Sequence, residues 1–149
     1  MADLVTTISE TVTLNGSLRG SVNSVTTTGI NDVFERIVTC TASVVTTIGV
    51  FAALPSTSPG AIDFDRTEYI RVTNLETAVT IELAVVTTAS NYQIRIRPGG
   101  SHILYQGSEI ARAEEDTTPF FGAMQDIASL QVKPTTAVDA RVELFVGLK

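Results

Sequence analysis

Residues that commonly carry out chemistry are scarce in this 149-residue sequence. It has a single cysteine, Cys40, a single histidine, His102, and no tryptophan. One cysteine cannot form an intramolecular disulfide, and together with one histidine it cannot supply the four ligands of a usual zinc site. A histidine-dependent triad needs a nucleophile beside the imidazole, but Ser101 precedes His102 in a predicted strand and points to the opposite face. We therefore expect no enzyme activity and no cofactor.

Charged residues and long apolar runs are also few. Charged side chains make up 17% of the chain, against about 25% in an average globular protein, and the net charge is −6. Nucleic-acid binding relies on a basic patch or stripe, which an acidic chain with scattered basic residues does not offer. The longest apolar run, 49–54, is far shorter than the roughly 18 residues of a membrane span. We expect no nucleic acid, no membrane, no secretory signal, and synthesis in a cytoplasm.

The abundant residues are β-branched. The sequence contains 22 Thr, 17 Val and 12 Ile, which together are 51 of its 149 residues. These side chains are stiff at χ1 and fit a pleated, half-buried surface better than a helix. Abundant threonine with little charge also favours surfaces that contact other proteins. The composition therefore predicts an all-β interaction protein.

Alternation of apolar and polar residues locates the strands. It is clearest at 68–74, 79–86 and 92–97, and short polar connections join these three segments. Such alternation is typical of half-buried antiparallel strands, so we predict a three-stranded meander. Placing Leu83 opposite Ile96 puts Glu82 opposite Arg97 as a cross-strand ion pair.

Five further segments complete the predicted fold. Strands are expected at 4–14, 37–45, 101–105, 127–132 and 138–148. About eight short strands separated by turn signals predict a single-domain antiparallel β-sandwich over 1–149, jelly-roll-like in its connections. The predicted core contains Ile70, Val72, Ile81, Leu83, Ile94, Ile96, Val142 and Leu144.

The first fourteen residues are a candidate N-terminal arm or edge strand. They carry only Asp3 and Glu10 as charged residues and run into Asn15-Gly16, a strong tight-turn dipeptide. A terminal segment of small β-branched residues is suited to pairing its backbone with a neighbour's free sheet edge. We therefore predict a symmetric homo-oligomer. The interface candidates in this arm are Leu4, Val5 and Ile8.

Three phenylalanines are further interface candidates. Phe120 and Phe121 follow Pro119 in an otherwise polar loop, and Phe145 lies on the polar face of the last predicted strand. Aromatic residues are enriched at the centres of protein interfaces. For Phe120 and Phe121 the first interpretation is a loop that folds back and caps the core, and the interface anchor is the alternative.

Two groups of carboxylates are candidate cation ligands. Asp63 with Asp65, and the acidic run 114–116, could each offer oxygens to calcium. Neither has the spacing of a known calcium loop. We therefore predict solvated loop charges and no metal site.

Five segments in this order resemble small virion structural proteins of tailed bacteriophages, especially those of aquatic and marine hosts. They are ETVTLNG at 10–16, INDVFERIVT at 30–39, YIRVTNL at 69–75, PGGSHIL at 98–104 and AVDARVELFV at 137–146. The resemblance spans nearly the whole chain, although its motifs are strand and turn patterns without a catalytic signature. It implies a β-sandwich or jelly roll with a place in the virus particle.

The resemblance also implies a function. It favours a capsid decoration (cement) protein that binds the major capsid protein, often as a homotrimer, and stabilises the assembled head. A neck, tail or fibre component that binds another virion protein is the alternative within this class. A β-sandwich glycan- or ligand-binding module is the alternative from a different class. Acidity favours the particle exterior, away from packaged DNA.

Overall fold

The computed structural model describes residues 1–114, 118–119 and 121–149. In this part of the chain the secondary structure is β-strand, apart from a short 3-10 turn at Pro55–Thr57. Thirteen strands are present: β1 (Ala2–Ser9), β2 (Val12–Leu14), β3 (Ser17–Arg19), β4 (Val22–Ile30), β5 (Asp32–Cys40), β6 (Thr46–Ala52), β7 (Ile62–Asp63), β8 (Thr67–Asn74), β9 (Ile81–Thr87), β10 (Asn91–Ile96), β11 (Ser101–Leu104), β12 (Ile127–Pro134) and β13 (Ala140–Leu148).

Two sheets form a β-sandwich. One sheet has the strand order β10-β9-β12-β6-β7 and the other has the order β11-β8-β13-β5. Neighbouring strands are antiparallel, except that β7 runs parallel to β6. Strands β5, β6, β8 and β9 pair with β13, β12, β11 and β10 respectively, as if one long hairpin were rolled up. This is the jelly-roll arrangement, so the predicted fold class is confirmed.

The strand count exceeds the predicted eight because two features were not anticipated. Eight strands build the rolled hairpin, and the two-residue β7 adds one more to the edge of the larger sheet. The other four, β1 to β4, lie outside the sandwich in two small two-stranded sheets. These four strands form the arm described below.

The predicted meander is wrong, because β8 and β9 lie in different sheets. Asn74, the last residue of β8, marks the crossing between them. Its fully buried side chain donates hydrogen bonds to the carbonyl oxygens of Val79 (2.8 Å) and Ile96 (3.1 Å). Its side-chain oxygen accepts one from the backbone N–H of Glu76 (3.1 Å). A buried amide with three partners fixes the path of the chain from one sheet to the other.

The predicted register of β9 with β10 is wrong by two residues. Leu83 is opposite Ile94 instead of Ile96. Glu82 therefore faces Arg95 instead of Arg97, and their side chains form an ion pair at 3.0 Å. Both pairings keep the same residues on the inner face, so alternation alone cannot distinguish them.

The core lies between the two sheets. Of the eight predicted core residues, seven are buried, and Ile94 is partly buried against them. Cys40 is fully buried in the same cluster, and burial raises the pKa of its thiol. The prediction of Cys40 as a small buried apolar residue is confirmed.

Candidate functional site: a β-hairpin arm and the groove beneath it

Residues 1–30 form a long β-hairpin, here called the arm. Strand β1 pairs with β4, and β2 pairs with β3 on either side of Asn15-Gly16. Asn15 and Gly16 have φ angles of 50° and 75°, and a two-residue hairpin turn of this kind requires positive φ at both positions. The arm is therefore twice as long as the predicted 1–14, because residues 17–30 return alongside that segment.

The base of the arm is fixed to the sandwich at a β-bulge. The pairing register shifts between Ala2 and Leu4, opposite Gly29, whose φ of 80° lies in the left-handed region. Bulges with a glycine in this conformation bend the strand that carries them. Next to the bulge the Ile30 side chain is buried, and the N–H of Asn31 donates to the carbonyl oxygen of Leu148 (2.8 Å). The arm therefore leaves the sandwich at a defined point.

Apolar side chains of the arm are exposed to solvent. Both strands at its end, β2 and β3, are exposed at every position. Val12, Leu14 and Leu18 are 56%, 59% and 73% exposed, and the arm's other large exposed apolar residues are Met1, Val5, Ile8, Val22 and Val25. An isolated two-stranded hairpin is only marginally stable in water. The exposed apolar residues lie on both faces of the hairpin, with Val12 and Leu14 on one face of its end and Leu18 on the other, and such exposure indicates a binding element.

One face of the arm is turned towards the four-stranded sheet. Paired residues share a face, which places Leu4 and Thr6 with Thr27 and Val25. Leu4, Thr6 and Thr27 are partly buried, whereas Val5 on the opposite face is exposed. The Leu4 side chain lies over Gly147 of β13, where a Cβ atom would be only 3.4 Å from it.

An open groove of about 400 Å³ separates the arm from this sheet. Residues 4–7 of the arm form one wall. The sheet contributes Tyr69, Arg71, Ser101, Ile103 and Phe145. We call this the arm groove.

The floor of the arm groove contains two aromatic rings, and its one charged side chain is paired. The Tyr69 ring packs edge-on against Phe145 (centroids 6.0 Å apart) and Tyr105 (5.8 Å). The Arg71 guanidinium lies 5.8 Å from the Phe145 centroid and forms an ion pair with Glu143 at 2.7 Å. The predicted interface candidate Phe145 is thus part of this floor, and an apolar, uncharged partner fits it best.

The outer face of the five-stranded sheet is different. A smaller groove of about 120 Å³ there is lined mainly by polar side chains, among them Glu82, Gln93, Gln131 and Lys133. It has no aromatic lining. Exposed large apolar side chains occur in both regions, with eight in the arm and ten elsewhere in the described residues, among them Val44, Val45 and Val50.

The other predicted interface residues differ in their exposure. Phe121 is 89% exposed, so it does not cap the core, and Phe120 lies outside the described residues. Leu4 is partly buried at the arm base, whereas Val5 and Ile8 are exposed. Reasoning from the sequence did not identify the arm groove or the apolar residues of β2 and β3. Val12 and Leu14 alternate with Thr13 directly before the Asn15-Gly16 turn. This pattern is a signal from which a hairpin continuing beyond residue 14 could have been predicted.

The candidate catalytic and cation-binding residues, His102 and Asp63, make hydrogen bonds within the fold. The Nε2 atom of His102 lies 3.1 Å from the hydroxyl oxygen of Tyr92, and burial lowers the pKa of His102 and raises that of Tyr92. Oδ1 of Asp63 accepts hydrogen bonds from the N–H groups of Asp65 (3.0 Å) and Arg66 (3.4 Å). In the described part of the chain, no group of three or more His, Cys, Asp and Glu side chains is placed to hold a metal ion.

Comparison of the chain with protein-family models, curated proteins and solved structures gives no match. Within residues 1–114, 118–119 and 121–149, no helix is long and apolar enough to span a bilayer.

Proposed function

We propose that this protein is a non-enzymatic structural protein of a tailed-phage virion. In this proposal it decorates the outside of the assembled head, binds the major capsid protein and stabilises the shell. The observation that carries the proposal is the arm, which exposes eight large apolar residues outside the sandwich. The five segments that resemble phage virion proteins support the choice of partner.

The physical properties of the chain suit this role. A decoration protein needs contact surfaces and needs no catalytic centre. A projecting hairpin can reach a neighbouring protein at a distance from the sandwich, and its backbone edges remain free to pair. The net charge of −6 suits a surface that faces away from packaged DNA.

Co-sedimentation with virus heads tests the proposal. Recombinant protein would be mixed with heads that lack it, prepared from the virus whose genome encodes this sequence. We expect the wild-type chain to pellet with the heads, and Val25→Asp in the arm to weaken binding at least tenfold. Val50→Asp is the matched control, because Val50 lies in the five-stranded sheet and is 48% exposed, against 47% for Val25.

Antibody labelling of purified particles locates the protein. Labelling over the whole head surface is the expected result. Labelling confined to the neck, tail or fibres would replace the decoration role with the alternative within the same class. Absence of the chain from purified particles, together with no binding to heads, would overturn the virion role altogether.

A further inference from the structure

We propose that the end of the arm, residues 12–19, docks into the arm groove of a second copy of this chain. Residues 12–19 are called the arm tip below. This inference gives the arm a partner beyond the capsid and does not depend on the proposed function.

The arm tip is an apolar element without a partner in its own molecule. Val12, Leu14 and Leu18 are each more than half exposed, and Arg19 is the only charged residue among residues 12–19. The turn at Asn15-Gly16 closes the hairpin tightly, so the tip enters a groove with little backbone entropy to lose.

The arm groove has the complementary properties. Its sheet floor combines the rings of Tyr69 and Phe145 with the aliphatic side chain of Ile103. Its one cation, Arg71, is already neutralised by Glu143. A strongly charged partner would gain no unpaired counter-ion there, whereas a nearly neutral, aliphatic hairpin buries apolar surface on both sides.

The tip does not occupy the groove of its own chain. Residues 4–7, near the base of the same arm, form the wall of that groove. The turn at Asn15-Gly16 lies eight residues beyond Thr7, which is roughly 25 Å along an extended strand. Since the tip side chains stay exposed in the single chain, their partner groove must belong to another molecule.

Burial of the exposed tip residues favours the contact. Burying a Val or Leu side chain is worth about 1.5–3 kcal/mol at about 25 cal/mol per Å². The three exposed apolar residues of the arm tip, Val12, Leu14 and Leu18, therefore present roughly 110–230 Å² of apolar surface. One partner of a standard interface contributes about 800 Å², of which a little more than half is apolar. The tip supplies roughly a quarter to a half of that apolar area, and in a closed assembly each copy also buries its own groove floor.

A contact between tip and groove joins two different surfaces. It is therefore heterologous, and it closes either as a reciprocal exchange between two copies or as a ring of three or more. Every copy in a closed assembly donates one tip and accepts one.

Sedimentation equilibrium of the full chain tests this arrangement. The wild type is expected at a whole-number multiple, two or greater, of 15.9 kDa. Leu18→Asp in the tip and Ile103→Asp in the groove are each expected to sediment as monomers, whereas Val50→Asp is expected to match the wild type. Ser101→Arg is a second groove variant at an exposed position, in case Ile103→Asp destabilises the fold.

Mixing the variants gives the decisive result. The Leu18→Asp chain keeps an intact groove, and the Ser101→Arg chain keeps an intact tip. A 1:1 mixture should therefore restore one contact and form a two-chain species that neither variant forms alone. A contact between two identical arm surfaces would not be restored in this way.

Three outcomes would overturn the inference. They are a wild type that stays monomeric at 100 μM (on the order of 1,000-fold above a tight Kd), variants that assemble like the wild type, and a mixture that stays monomeric. None of these measurements uses heads. A monomeric chain that still binds heads would refute the inference alone, and an assembled chain that does not bind heads would refute only the proposed function.

Discussion

The sandwich and the arm use the same kinds of residue in opposite ways. Both are rich in Val, Ile, Leu and Thr, yet Ile30 is the only buried apolar residue in the first 31 positions. Twenty other buried apolar residues lie in the sandwich part that the structure describes. The difference arises because each sandwich sheet packs against a second sheet, whereas the arm has only an open groove beneath it. The arm's exposed apolar residues therefore have no covering layer in their own molecule.

A pair of leucine substitutions should show the largest difference between the two regions. Leu83 is fully buried between the sheets, and Leu18 is the most exposed leucine of the arm. Leu83→Ala should lower the free energy of unfolding by about 2–5 kcal/mol, because it leaves a cavity. Leu18→Ala in the monomer should change it by about 0.5 kcal/mol or less. Urea denaturation measures both, and equal effects would show that the arm has a core of its own.

A pair of asparagine substitutions extends the comparison to hydrogen bonds. Asn74→Ala removes a buried amide and leaves the carbonyl groups of Val79 and Ile96 without their donor. The expected loss is about 1–3 kcal/mol. Asn23→Ala in the arm removes only an exposed hydrogen bond to the hydroxyl of Ser21 (3.1 Å), so no measurable change is expected. An unchanged melting temperature for Asn74→Ala would contradict its role at the crossing between sheets.

Gly20 tests whether the arm can be disrupted separately. Its φ is 116°, and a Cβ atom there would overlap the carbonyl group of Glu10 on the opposite strand. Gly20→Ala should strain the arm by about 1–3 kcal/mol and speed proteolysis beyond Glu10, with the melting of the sandwich unchanged. Gly16→Asn is the control, because a side chain there meets open space and asparagine tolerates the positive φ of 75°. A sandwich destabilised by Gly20→Ala would mean that the two regions fold as one unit.

The smallest expected effect concerns pH. Burial lowers the pKa of His102, so the folded chain binds a proton less readily than the unfolded chain, whose histidine pKa is about 6.5. The contribution of neutral His102 to stability is complete above the pKa of the unfolded chain, and it is lost as the pH falls below that value towards the lower pKa of the folded chain. The drop in melting temperature from pH 8 to pH 5.5 should therefore be smaller in His102→Gln than in the wild type. Identical drops would show that His102 is not responsible.

Alternation in the sequence was enough to predict the inner faces of the sandwich, because a period of two survives any choice of partner strand. It could not assign strands to sheets, because β8 and β9 have the same alternating pattern whether they pair in one sheet or lie in two different sheets. The crossing depends on Asn74, a polar residue that ends its strand and is fully buried. The Asn15-Gly16 turn was visible in the sequence. The arm groove was not, because it brings residues 4–7 together with residues about 60 to 140 positions away.

Hydrogen–deuterium exchange of the backbone amides tests the central claim most directly. It would be measured in dilute monomer and in the assembled protein, with peptides covering the arm (1–30) and the sandwich read separately. The account predicts that arm amides exchange rapidly in the monomer and become protected on assembly, while sandwich amides are protected in both states. Arm amides that are as protected in the monomer as in the assembly would contradict it.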